Sequence, residues 1–342
     1  MAKAFYHING NPMFYFPSRP NPNRPFPLLL SYNKPLKVTM SCNQSYWASI
    51  NEDIEAHLKQ AIPIREPLSV LEPMHHLTFA APRTTASALC VAACELVGGN
   101  RDRALPAAST IHLVYAASFT HEYVPRSETS RPMSKIQHVY GPGIELQIGN
   151  AMIPFGFELL AKSDDPARND SDRILRVMVE ITRAIGSEGM IYGQYDEVES
   201  YQSDNNKSSH IEEIERVSEK YEGTLYACAG ACGAIIGEGC EDEIEKMRKY
   251  GLYIGKIEGI MSRIGSSSDK DLMEKLVEEL RNLANNELRG FNEAKFNGKI
   301  FWKCHQSNIG LASSPRQREI LPFNYIRIFA LDSWYERTFG QS

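Results

Sequence analysis

Acidic residues are absent from the first part of the chain. Between Met1 and Asn51 there is no Asp or Glu, whereas five Lys or Arg residues lie among Ser, Asn, Pro and Phe. This composition is typical of an organelle transit peptide, which we predict for residues 1–45, with a disordered, proline-rich tail as the alternative. Removing the five cations leaves 37−5=32 basic against 42 acidic residues. That net charge of −10 argues against nucleic acid as a partner.

Long apolar runs and dense cysteines are also missing. No stretch approaches eighteen consecutive apolar residues, so we expect a soluble protein without a membrane span. The chain has seven cysteines among 342 residues, an odd number without the density of a disulfide-stapled secreted domain. This usage favours a reducing compartment and free thiols.

Strand-like alternation is not found between Trp47 and Leu288. Apolar residues recur instead at the helical period, and we expect helices at 48–62, 106–123, 170–186, 210–237, 241–265 and 269–288. The helix at 106–123 is apolar almost all round, which predicts burial inside a bundle. The predicted fold class is all-α, a single large helical bundle.

Two CxxxC motifs stand out within this pattern. "ALCVAACELVGG" contains Cys90 and Cys94, and "YACAGACGAIIG" contains Cys228 and Cys232. Positions i and i+4 share one face of a helix, so each motif presents two thiols side by side. That geometry is unsuitable for a disulfide, and the apolar surroundings disfavour zinc. Burial in a core and burial against a partner remain open, and the residues themselves favour the core.

Three stretches, in collinear order, resemble the trans-prenyl diphosphate synthases of the geranylgeranyl diphosphate synthase type. They are "LCVAACELVGG", then "HLVYAASFTHEYVP" with "IQHVYGPGIELQIGNAMIPFGFELLA", then "GAIIGEGCEDEIEKMRKYGLYIG". The resemblance implies the isoprenoid synthase bundle over residues 46–291. Active members ionise an allylic diphosphate and join it to isopentenyl diphosphate. The leaving group needs Mg²⁺ ions, which the family holds with DDxxxxD and DDxxD motifs on facing helices.

Neither aspartate motif is intact in this sequence. At the first, "HEYVPRSET" puts Glu122 and Tyr123 where the paired aspartates belong, and Glu128 near the outer one. A protonated phenol is a poor ligand for hard cations. The second motif is expected at the end of "GLYIGKIEGIMSRIGSS", where there is no carboxylate among three matching positions, which are Ser262, Arg263 and Ser266. A guanidinium there would repel a magnesium cluster.

Two further segments bear on catalysis. The basic segment that holds isopentenyl diphosphate in the family reads "AAPRTTAS" here and keeps only Arg83. "DDPARND", Asp164 to Asp170, matches DDxxxxD by its letters, but Pro166 and the helix that follows predict a loop with capping residues. We therefore predict no catalytic residue and no metal bound by this chain.

Small subunits of plant heteromeric geranyl diphosphate synthases also share "MHHLTFAAP" and lack the aspartate motifs. The resemblance implies a plastid stromal protein that is inactive alone and binds a catalytic geranylgeranyl diphosphate synthase large subunit, as a heterodimer or heterotetramer. It also implies a product shifted toward geranyl diphosphate, the monoterpene precursor, with Mg²⁺ only at the partner. The motifs are implicated in partner binding in that subfamily, so the predicted partner-binding residues are Cys90, Cys94, Cys228 and Cys232.

Two other functions and one segment stay open. The chain could be an active prenyl diphosphate synthase with degenerate motifs, or a thiol-based metal or redox protein. Residues 292–342 are aromatic and match nothing in the relatives. They are either a genuine extension or an artefact of an intron read-through.

Overall fold

The computed structural model describes residues 36–123, 139–165, 170–202, 210–263 and 270–291. These ranges contain helices and turns and no strand, which confirms the predicted all-α class. The helices from Lys37 onward belong to one compact unit. In chain order they are α1 (Leu36–Ala61), α2 (Leu68–Ala80), α3 (Thr85–Leu96), α4 (Arg101–Tyr123), α5 (Pro142–Lys162), α6 (Ser171–Ile185), α7 (Met190–Gln202), α8 (His210–Ser218), α9 (Thr224–Ile236), α10 (Glu241–Arg263) and α11 (Lys270–Leu288).

Helices α1, α4, α6, α10 and α11 correspond to periodic stretches of the sequence. α1 begins at Leu36, inside the range predicted as a transit peptide, so the end of that peptide stays a prediction. α2 and α5 were not among the predicted helices, and each contains an internal proline, Pro73 or Pro154. Proline removes one backbone donor from a helix, and both segments are nevertheless helical here.

One predicted helix is interrupted. The stretch 210–237 reads as a single helix in the sequence, but a π-helical turn, Glu219–Gly223, separates α8 from α9. A π-turn adds one residue to the helical repeat and changes the direction of the side chains that follow it. The prediction of one uninterrupted helical period was therefore wrong in this segment.

Helices α9 and α4 form the centre of the bundle. α9 packs against α3, α4, α6 and α10, and nearly all of its residues are buried. The buried residues of α4 are mainly alanine and aliphatic side chains, which confirms the predicted burial of this helix. A smaller apolar cluster joins α8, α10 and α11, and includes Ile260 and Val277. The bundle therefore has a core of small side chains, in which helix backbones lie close together.

Candidate functional site

The four cysteines of the CxxxC motifs lie inside the bundle. Cys90, Cys94 and Cys232 are 0% exposed and Cys228 is 4% exposed. Their own chain covers them, with α3 and α9 packed against each other at the motifs. Burial in the core, which the residues themselves favoured, is what the structure shows. Their predicted role in partner binding stays a prediction, and in this fold it cannot be a contact at the surface.

The two motifs form a seam between α3 and α9, which we call the α3–α9 seam. A Cβ built on Gly233 would lie 2.0 Å from the carbonyl oxygen of Cys90. A Cβ built on Gly237 would lie 2.7 Å from the carbonyl oxygen of Cys94. The backbones are thus in direct contact, and the glycines are required because any larger side chain would separate the helices.

The thiols in this seam have low chemical reactivity. The sulfur atoms of Cys228 and Cys232 are 3.7 Å apart, well beyond the length of a disulfide bond. Burial raises the pKa of Cys94 to about 12 and that of Cys90 well above its ordinary value. The hydrogen bond with Cys228, together with burial, also raises the pKa of Cys232. Neutral thiols are poor nucleophiles and poor metal ligands, and within the described ranges no group of His, Cys, Asp and Glu is arranged to hold a metal ion.

The first aspartate-motif position falls at the end of α4. Glu122 and Tyr123 are the last two residues of that helix, and Glu128 lies outside the described residues. His121, directly before them, lies against α5, since a Cβ built on Gly149 would be 2.7 Å from its Nε2. The structure therefore gives the backbone position of Glu122 and Tyr123 at the end of a buried helix, as the sequence predicted.

The second motif position falls at the end of α10. The hydroxyl of Ser262 donates to the carbonyl of Gly259 at 2.8 Å, and Ser266 lies outside the described residues. Arg263 donates from Nη1 to both carboxylate oxygens of Glu222, each at 2.8 Å, and the two side chains are only 17% exposed. Glu222 belongs to the π-helical turn. Its carboxylate offsets the guanidinium charge within the chain, so the expected repulsion of magnesium by a bare guanidinium needs correction.

Gly259 makes the Glu222–Arg263 pair possible. A Cβ on Gly259 would lie 2.4 Å from Oε2 of Glu222, so any other residue would displace the carboxylate. The pair is nearly desolvated, and an ion pair in such a place is strongly coupled. Where a metal-binding motif would need free carboxylate oxygens, this chain therefore has a carboxylate already engaged by its own arginine.

Glu258 is a residue that the sequence analysis missed. It lies one helical turn before Ser262, on the same side of α10. Burial raises its pKa. Burial and the charge of Glu258 also raise the pKa of Tyr226 on α9, whose hydroxyl lies 2.6 Å from Oγ1 of Thr85. The i−4 spacing from Ser262 was the available signal, because it places a carboxyl group beside the second motif position.

The segment "AAPRTTAS" connects α2 to α3 and is held by local polar contacts. Arg83 forms an ion pair with Glu55 of α1. Oγ1 of Thr84 accepts a hydrogen bond from the backbone N–H of Ala86 at 3.2 Å and so caps α3. The one retained cation is therefore already paired, and the residues in place of the other two are neutral.

The "DDPARND" segment leads into α6, and residues 166–169 lie outside the described ranges. Asp170 directly precedes the helix but makes no side-chain cap, which corrects the predicted capping. It accepts instead from Arg103 at 3.1 and 3.2 Å and pairs with Arg173, beside a cleft of about 350 Å³. Asp170 thus links α4 to α6 through its ion pairs with Arg103 and Arg173.

Helices α5 and α6 pack against each other, and each of them exposes apolar side chains. On α5, Ile144 is 48% exposed and Leu146 is 43% exposed; on α6, Leu175 is 60% and Val179 is 40% exposed. We call these four residues the α5–α6 surface. Leu175 and Val179 share one face of α6, and an exposed apolar face of this kind is typical of interaction sites. The sequence analysis did not single them out, because apolar residues on a buried and on an exposed helix face have the same period.

Among the described residues, none of the helices is both long and apolar enough to cross a bilayer.

The chain is similar to several plant proteins. It is 48% identical over 266 residues to heterodimeric geranylgeranyl pyrophosphate synthase small subunit 2, chloroplastic, of Cannabis sativa, covering 75% of this chain and 92% of that protein. The crystal structure of the geranyl diphosphate synthase small subunit from Antirrhinum majus is 49% identical, with a TM-score of 0.69, and covers 78% and 98% of the two chains. A deletion mutant of the heterotetrameric geranyl pyrophosphate synthase of mint is 46% identical, with a TM-score of 0.65, and covers 77% and 98%. No family model matches the chain.

Proposed function

Because this chain belongs to the trans-prenyl diphosphate synthase family, among the small subunits of heteromeric geranyl and geranylgeranyl diphosphate synthases, we propose that it is a non-catalytic regulatory subunit. In this proposal it binds a catalytic large subunit and shifts the product toward geranyl diphosphate. The similar mint assembly is heterotetrameric and the similar Cannabis protein is heterodimeric, so either stoichiometry is compatible. The similar Cannabis small subunits are chloroplastic, and we propose the plastid stroma as the location.

The Glu222–Arg263 pair is the observation that carries the non-catalytic role. Ionisation of an allylic diphosphate needs several Mg²⁺ ions, each with hard oxygen ligands in near-octahedral array. At the second motif position the chain offers the hydroxyl of Ser262 and a guanidinium that is already paired with Glu222. Glu258 adds one carboxyl, and burial favours its neutral form. These residues do not fit a magnesium cluster, and we assign the metal to the partner.

We propose the α5–α6 surface as the place where the catalytic subunit docks. Its four apolar side chains are 40–60% exposed on a chain whose core is otherwise closely packed. Burial of such side chains by a partner removes apolar surface from water, which favours a complex. Docking there would change the partner's own interface and product cavity, so that ten-carbon products leave before further elongation.

An activity assay separates this proposal from an active synthase with degenerate motifs. The purified chain is given Mg²⁺, isopentenyl diphosphate and an allylic diphosphate, alone and with large subunit 1 of Arabidopsis thaliana. We expect no turnover alone and a raised share of ten-carbon product in the mixture. Robust turnover by the chain alone would refute the non-catalytic role, and an unchanged product distribution would refute the product shift.

A matched pair of variants tests the docking surface. Leu175→Glu places a charge on α6, and Leu272→Glu does the same on α11, at a leucine that is 55% exposed and lies outside the α5–α6 surface. We expect Leu175→Glu to abolish co-purification with the large subunit and Leu272→Glu to retain it. Equal retention by both variants would place the interface elsewhere.

A further inference from the structure

Helix α6 separates Cys232 from the α5–α6 surface. The Sγ of Cys232 lies 4.0 Å from the carbonyl oxygen of Val177, a residue of α6 that is 0% exposed. Leu175 lies two residues before Val177 and Val179 lies two residues after it. Positions two apart on a helix face nearly opposite sides, so these two side chains are exposed while Val177 is buried. One helix thickness therefore lies between the second CxxxC motif and the proposed docking surface.

Helix α9 is in backbone contact with its neighbours on two of its sides. Toward α3 it is in backbone contact at Gly233. Toward α10, a Cβ on Gly230 would lie 2.2 Å from the carbonyl oxygen of Met247, and a Cβ on Gly251 would lie 2.1 Å from that of Tyr226. Toward α6 the contact runs through side chains, Cys232 among them. A change of volume at Cys232 is therefore taken up on the α6 side.

Two ion pairs on either side of Val177 link α6 to α10. Glu180 of α6 accepts from both terminal nitrogens of Arg248 of α10, at 2.5 and 2.9 Å, and Arg176 pairs with Glu241 at 2.6 Å. These pairs hold the middle of α6 to α10, so a push at Val177 tilts or bends α6 rather than translating it freely. Close-packed interiors transmit such strain over short distances.

We infer that Cys232 is a positioning residue. Its side chain sets the distance between α9 and α6, and thereby the shape of the surface that the catalytic subunit contacts. The inference rests on the proposed function, because it assigns the predicted effect of the CxxxC motif on partner binding to α6. It differs from a direct contact, since the sulfur never meets the partner. The volume of the side chain at position 232 matters in this inference, and its chemistry does not.

Two substitutions at Cys232 distinguish positioning from contact. Cys232→Val enlarges the side chain and pushes on Val177, whereas Cys232→Ala removes the sulfur and leaves α6 held by its ion pairs. For the large subunit 1 of Arabidopsis thaliana we expect Cys232→Val to raise the Kd about tenfold or more and Cys232→Ala to change it less than about threefold. If the sulfur contacted the partner, both variants would lose affinity alike, and that result would overturn the inference.

Amide hydrogen exchange of the free chain supplies a readout that needs no partner. Cys232→Val should raise exchange in α6 selectively, because the strain is local. The control is Val277→Leu on α11, which overpacks the separate cluster of α8, α10 and α11, where Val277 is 4% exposed. It should lower overall stability without selective exchange in α6 or a change in Kd.

The outcomes are separable from those of the proposed function. Absence of binding by the unmodified chain would refute the docking proposal, while the exchange of α6 in Cys232→Val would still report whether Cys232 sets its position. Unchanged exchange in α6 and unchanged Kd in Cys232→Val would refute the positioning role alone.

Discussion

Replacing Gly233 with alanine should destabilise the bundle through the α3–α9 seam. The added Cβ would lie 2.0 Å from the carbonyl oxygen of Cys90 and 2.8 Å from the Cβ of Ala93, whereas real Cβ atoms stay at least 3.0 Å from their neighbours. The two helices must therefore separate by about 1 Å, because the clash is with backbone and no rotamer change relieves it. A gap of that size forfeits about a quarter to a half of the dispersion energy of the contacts along the seam.

The expected magnitude follows from two opposing effects. Alanine is better than glycine inside a helix by about 1 kcal/mol, which favours the variant. Overpacking of a close-packed core costs about 1–3 kcal/mol and occasionally more, and a backbone clash belongs at the upper end of that range. We expect a net loss of about 2 kcal/mol. For a domain of this size it lowers the Tm by about 4–8 °C.

Thermal unfolding, followed by far-ultraviolet circular dichroism, measures the change against a matched control. Gly143 in the first turn of α5 has no atom within 4 Å of an added Cβ, so Gly143→Ala should leave the Tm unchanged or raise it slightly. A Tm for Gly233→Ala equal to that of Gly143→Ala would show that α3 and α9 are not in backbone contact.

Three other predictions concern charge, protons and thiols. Arg263→Ala leaves Glu222 nearly buried without its guanidinium, and should lower the free energy of unfolding in urea by about 1–3 kcal/mol. A double-mutant cycle with Glu222→Gln should show strong coupling, and independent, additive effects would contradict the pairing. Burial lowers the pKa of His112 below its ordinary value of 6.5, so the unfolded chain binds more protons and stability falls as pH drops through that value. His112→Asn should reduce the loss of stability between about pH 7.5 and 5.5, and an unchanged loss would assign it to other groups. Brief iodoacetamide labelling of the folded chain should modify the exposed Cys240 rapidly. Cys94, whose pKa is raised to about 12, should stay unmodified in peptide mass spectra. Equal labelling of the two would show that the bundle opens at α3.

Much of the helical framework could be predicted from the sequence, because amphipathic helices repeat their apolar residues at the helical period. The helix at 106–123 is a case in point, since its apolar residues all round could only be buried. α5 gave no such signal, because Pro154 lies inside it and its apolar residues face both the core and the exterior. The intrinsic helix propensity of its residues predicts little for such a helix, because tertiary packing determines whether the segment is helical.

The candidate site was less accessible to sequence reasoning. Small residues in the CxxxC motifs predict close approach of two helices but do not say which two, so core and interface gave the same pattern. The partner of Arg263 could not be foreseen either, since Glu222 is 41 positions away and reaches it through the π-helical turn. Glu258 was within reach, because its i−4 spacing from Ser262 follows from helix geometry alone.

Helices α8 and α9 follow each other directly through the π-helical turn Glu219–Gly223, and the directions of their side chains shift at that turn. One extra residue rotates everything before the turn by about 100° relative to everything after it. Loss of a single residue there would therefore turn either Glu222 away from α10 or the cysteines of α9 away from α3. We therefore expect a single insertion or deletion within residues 210–236 to disrupt one of these two contacts, unless a compensating change in length restores the phase.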